Sequence, residues 1–140
     1  VNSILQINEA VKIIDYQNLK IITIDFPSNS DLEQIKKIIV EAKNSIARQP
    51  KNSVFTLTIL GDFHFNNEIT KEFHKFIEHN KPYVKAGAVV GISGIKQAML
   101  NSLSLLTKRS FIVVDKVDDG LEYLLKESLK VASTTKTPVE

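Results

Sequence analysis

The sequence predicts one α/β domain whose helices pack against a largely parallel sheet. Three observations carry that prediction. Short β-branched runs alternate with segments of helical period from Pro27 onward, the pattern of strands joined by crossover helices. The runs at Val54–Leu60, 84–92 and 110–115 are apolar nearly throughout, as strands buried on both faces are. A chain of 140 residues with 43% apolar content is long enough to bury one sizeable core.

Residues 10–16 and Leu19–Phe26 flank Gln17-Asn18 and read as an antiparallel hairpin. Gln-Asn is a poor two-residue turn, so the register stays open. Pro27-Ser28-Asn29-Ser30 breaks the pattern, and either Asn29 or Ser30 is placed to cap a helix whose first turn carries Asp31 and Glu33. Leu32, Ile35, Ile38, Ile39, Ala42 and Ile46 recur at spacings of three and four, which puts one helix face on a sheet and ends the helix near Arg48, before Pro50.

Val54–Leu60, bounded by Asn52 and Gly61, reads as an interior strand. Asn66 or Asn67 opens a second helix that runs to His79 with Ile69, Phe73, Phe76 and Ile77 inward, and Asn80-Lys81-Pro82 ends it. The strand at 84–92 empties through Gly91 and Gly94 into a helix at 95–108, and 110–115 is a further buried-type strand. Asp118 and Asp119 open the last helix, with Val117, Leu121, Leu124 and Leu125 inward. Gly120, about 1 kcal/mol worse than Ala inside a helix, is expected to delay that helix's start. The domain is expected to span 1–130, with 131–140 a flexible C-terminal tail that has little to bury.

Composition narrows the function classes. Eighteen basic and sixteen acidic side chains leave a net charge of +2 spread along the chain, so no stripe for nucleic acid is expected. The absence of cysteine excludes disulfides and thiolate chemistry, and a cytoplasmic location is the expectation. No apolar run approaches the roughly 20 residues of a transmembrane helix. No cofactor motif is present, and none is expected to bind.

The stretches Asn80-Lys81-Pro82-Tyr83-Val84-Lys85, Val89-Val90-Gly91-Ile92-Ser93-Gly94-Ile95-Lys96 and Phe111-Ile112-Val113-Val114-Asp115 resemble the SpoIIAA-like family of small bacterial proteins. That family has the fold of STAS domains and anti-sigma factor antagonists. The resemblance follows the element order from Ala10 to Lys130, with its specific residues between Asn80 and Leu125. It implies a SpoIIAA/STAS-like fold with an antiparallel N-terminal hairpin and about four helices, and a role in partner switching. Phosphorylatable STAS proteins carry a serine at the helix start after the strand that corresponds to Val54–Leu60. This chain has Gly61-Asp62-Phe63-His64-Phe65-Asn66-Asn67-Glu68 there, with Thr70 the nearest hydroxyl, inside the first helical turn, so the phospho-serine switch does not transfer.

Gly91, Ser93 and Gly94 are the candidates for a ligand or anion, because a glycine-bearing turn from strand to helix directs N–H groups outward at the strand's carboxyl end. The stretch lacks the spacing of a phosphate-binding P-loop and of a G-x-S-x-G nucleophile elbow. The plainer reading makes Ser93 a helix cap and the glycines a tight turn. His74 and His79 stand five apart and share no helix face, which argues against a metal site. His64 lies between Phe63 and Phe65, and strand-like alternation turns it away from both rings. His64, Phe65, Asn66 and Asn67 are the candidates for partner contact, joined by Leu100, which falls outside the inward arc of its helix.

The function expected is a non-catalytic binding or regulatory module of STAS-like type, acting through protein–protein contacts around the loops at 61–68 and 91–94. A protein partner or self-association as a dimer is expected. The alternative is a small carrier of an apolar or lipid-like ligand, since STAS-like folds resemble Sec14-type lipid-binding domains. An uncharacterised enzyme comes third, with no catalytic residue assigned.

Overall fold

The structure, a computed structural model, describes residues 10–64, 66–91 and 110–136, with side chains described to residue 130. Five strands form one sheet in the order β1-β2-β3-β4-β5: β1 Val11–Tyr16, β2 Leu19–Phe26, β3 Val54–Leu60, β4 Val84–Val90 and β5 Ser110–Val114. The β1–β2 pair is antiparallel, and β2 to β5 run parallel. Three helices are described: α1 Leu32–Ala47, α2 Asn67–Asn80 and α3 Val117–Lys136. The helix expected at 95–108 lies outside the described residues.

The hairpin turns through Gln17 and Asn18, whose φ angles of 49° and 71° are both left-handed. Two positive φ angles match the right-handed twist of the flanking strands, so Gln-Asn serves where Asn-Gly is commoner. Asp15 fastens the turn, accepting from the Asn18 N–H at 3.0 Å and from Lys20 Nζ at 3.1 Å. The register runs from Tyr16 opposite Leu19 to Val11 opposite Ile24.

Each parallel strand is laid beside its predecessor, and the crossovers put α1 and α2 on one face. That face holds Ile22, Ile24 and Phe26 of β2 against Ile35, Ile39 and Ile46 of α1 and Phe73 and Phe76 of α2. Phe26 meets Phe73 edge to face, with ring centroids 5.0 Å apart. The opposite face carries α3, whose Leu121 and Leu124 pack with Leu57, Ala86, Ala88 and Val90. Alternation along the strands supplies both layers: Ile21 and Ile22 are 0% and 4% exposed and belong to opposite cores.

Three local expectations are corrected. The cap of α1 is Asp31, not Asn29 or Ser30: its carboxylate accepts from the Gln34 N–H at 2.9 Å. Asn29 is left-handed, and the buried Ser30 turns its hydroxyl back to the Pro27 carbonyl, so Asp31 is the residue left extended before the helix. Gly120 does not delay α3, which begins at Val117. A Cβ there would lie 2.7 Å from Leu57 Cδ1 and 3.3 Å from Ala88 Cβ, so the glycine brings the helix against the sheet. Val117, expected inward, is 39% exposed because it precedes that contact, past the last residue of β5.

Candidate functional site

The carboxyl ends of the parallel strands bring three loops together. Residues 27–31 follow β2, residues 61–66 follow β3, and Gly91 follows β4. The first two are joined by backbone bonds. Gly61 donates its N–H to the Phe26 carbonyl at 2.7 Å, and Asn29 donates its own to the Asp62 carbonyl at 2.9 Å. The Asp62 N–H in turn donates to Ser28 Oγ at 3.0 Å. Side-chain burial adds an anchor, because Phe63 is 5% exposed within the α1–α2 core. The next residue, His64, is exposed, as the alternation predicts.

Gly91 lies beside the end of β3. Its φ is +88°, its N–H donates to the Val114 carbonyl at 3.3 Å, and a Cβ on it would fall 2.5 Å from the Leu60 carbonyl oxygen. Its N–H therefore continues the ladder to β5 and is not directed at a ligand. The helix starts of α1 and α2 are closed by their own residues. Asn66 Oδ1 accepts from the Ile69 N–H at 2.9 Å, the counterpart of the Asp31 cap. Thr70 donates its hydroxyl to the Asn66 carbonyl at 2.8 Å, which engages the nearest hydroxyl in the helix backbone.

Of the expected contact residues, His64, Asn66 and Asn67 are exposed at this edge, with Gly91 one strand away. Ser93, Gly94, Phe65 and Leu100 lie outside the described residues. The sequence did not reveal that Ser28, Asn29 and Asp62 belong to the same surface. Their bonds join residues more than thirty positions apart, and no local pattern signals such a pairing.

Among the described residues the electrostatics of the edge are one-sided. Asp25, Asp31, Asp62, Asp115, Asp118 and Asp119 are all exposed there, alongside Lys116 and His64. Such a rim repels anions and favours a neutral or basic surface. Among the described residues no group of three His, Asp or Glu is placed to hold a metal ion. His79 has a structural setting instead: Nδ1 lies 3.0 Å from Asn80 Oδ1, and the ring stacks on Tyr83 at 6.0 Å. No helix among the described residues is long and apolar enough to cross a membrane.

The architecture is shared with solved structures. The chain superimposes on an uncharacterised protein of the DUF3478 family from Shewanella loihica, described as having a SpoIIAA-like fold. The TM-score is 0.63 at 14% identity, covering 82% of this chain and 92% of that one. It also superimposes on an anti-sigma-factor antagonist (STAS) domain protein from Planctomyces limnophilus. There the TM-score is 0.56 at 12% identity, over 84% of this chain and 97% of the other. At these identities the likeness is one of fold. No protein-family model and no curated protein sequence matches the chain.

Proposed function

We propose that this domain is a non-catalytic binding module, regulatory in the manner of STAS-like domains, that works by protein–protein contact through the loops at the carboxyl edge of its sheet. The observation that carries the reading is the tie between the loops after β2 and β3, made by Gly61, Asn29, Asp62 and Ser28. A surface held by backbone bonds loses little freedom on docking, which favours association. The exposed side chains on it, His64, Asn66, Asn67 and the rim of aspartates, are polar groups with which a protein surface forms hydrogen bonds. The occupied caps and the aspartate rim disfavour a phosphate ligand, and the chain acts without the phospho-serine of phosphorylatable STAS proteins.

The test is site-directed photo-crosslinking in cells that naturally produce the protein. A photoreactive side chain at position 64 is compared with one at Val40, which is 57% exposed on α1. A discrete protein adduct from position 64, absent from position 40, is the expected result. Equal adduct patterns from both positions, or a small apolar molecule retained in native mass spectrometry, would overturn the reading.

A further inference from the structure

We propose that β5 is an association strand through which two copies of this chain pair edge to edge, antiparallel, about a two-fold axis at Ile112. The argument begins with the direction of the backbone groups. Gly91 donates its N–H to Val114, so Val114 turns its carbonyl toward β4. In a parallel ladder alternate residues direct both their N–H and their C=O to the same neighbour, so Val114 and Ile112 face β4. Phe111 and Val113 then direct theirs to the outer edge. β5 ends the strand order, and among the described residues no strand pairs with that edge.

The two edges of the sheet differ in chemistry. β1 carries Lys12 and Asp15, and Asp15 is paired with Lys20 at 3.1 Å. Charge on an edge strand opposes the addition of another strand. β5 reads Ser-Phe-Ile-Val-Val, with neither a charge nor a proline, and residues 111–114 are only half-buried. An edge of that kind is a template for pairing.

A second copy is the occupant that fits the spacing. With the axis at Ile112, Phe111 of each chain stands opposite Val113 of the other. Each such pair exchanges two hydrogen bonds, so every outward N–H and C=O of Phe111 and Val113 is satisfied. The strands bring no like charges together, because β5 has none. The contact is isologous and closes on itself. The charged β1 edge lies at the far side of each sheet and discourages further growth.

Sedimentation of the full chain, in steps up to about 1 mM, reads the association directly. The mass is expected to rise to that of two chains. Hydrogen exchange should show the Phe111 and Val113 amides slowing as concentration rises, while the Ile112 amide is protected throughout. Among the described residues Val113 belongs to neither core cluster, so Val113→Lys should keep the fold and abolish the dimer. Val113→Pro is the second variant, since it removes an outward N–H without removing a bond to β4. A wild-type chain that stays monomeric to about 1 mM, a dimer that survives both variants, or concentration-dependent protection at other amides would each overturn the proposal. If neither variant folds, the exchange pattern of the wild type decides alone. Oligomeric state is independent of what docks on the loop surface, so the two proposals fail separately.

Discussion

Gly61 donates its N–H to the Phe26 carbonyl at 2.7 Å, while a Cβ on Gly61 would fall 2.3 Å from the Ser28 amide nitrogen. The atoms around that point, Ser28 N, Pro27 C and Phe26 O, are all backbone. A rotamer change cannot relieve the crowding, so Gly61→Ala must separate the two loops. A loss of about 3 kcal/mol is expected, at the upper end for overpacking. Urea denaturation checks it: the midpoint falls with the slope unchanged if the native state stays compact. Because the same loops form the candidate contact surface, the variant should also lose the partner crosslink at temperatures where it remains folded.

The two self-capped helices offer a measurement of local stability. Asp31 accepts from the Gln34 N–H and Asn66 from the Ile69 N–H, each at 2.9 Å. Asp31→Ala and Asn66→Ala should each cost about 1 kcal/mol. The caps belong to different helices and share no hydrogen bond, so the double variant should lose the sum to within about 0.5 kcal/mol. Denaturant midpoints of the two single variants and the double variant provide the check.

What the sequence disclosed was governed by local physics. The bounds of β3 follow from a β-branched run stopped by Asn52 and Gly61, and the cap of α2 was among the two residues its pattern allowed. The hairpin was legible for the same reason. Asp31 was misjudged because the left-handed Asn29 and the back-turned Ser30 move the cap by one or two residues, a result of loop geometry rather than of propensity. Gly120 was read through its helix propensity alone, although its role depends on Leu57 and Ala88 across the sheet. In the candidate site, His64 and Asn66 were legible as loop and cap. The bond between Asn29 and Asp62 was not, since it follows from two strands lying side by side.

Asp15 gives the fold an acid-side signature. Its hydrogen bond with the Lys20 ammonium, helped by the Asn18 N–H, holds the carboxyl below the usual aspartate range. The folded state thus binds this proton less readily than the unfolded one. The resulting stability is present above the unfolded aspartate's pKa and is lost as pH falls through the lower folded value. The site is exposed, so the effect on stability is small. Carboxyl NMR titration reads it directly: Lys20→Met should raise the Asp15 pKa toward the ordinary value. An unchanged titration would assign the depression to the turn backbone.

Gly120 sets two effects of opposite sign against each other. Alanine in place of glycine favours a helix by about 1 kcal/mol, yet the new methyl would stand 2.7 Å from Leu57 Cδ1 and 3.3 Å from Ala88 Cβ. Leu57 is 1% exposed and has little room to turn. Overpacking at such a site costs about 1–3 kcal/mol, so Gly120→Ala should be destabilising on balance. The cause can be separated from a general intolerance of the position by a double-mutant cycle. Leu57→Ala removes the crowding atom at its own cost of about 2–5 kcal/mol. In that background the methyl at position 120 should enter the vacated volume, and its penalty should shrink or reverse. A coupling of about 1 kcal/mol or more, read from denaturant midpoints, would establish that the helix is held close to β3 by this contact. Strict additivity would instead place the strain of Gly120→Ala on Ala88 Cβ and Val114 Cγ2, its other neighbours.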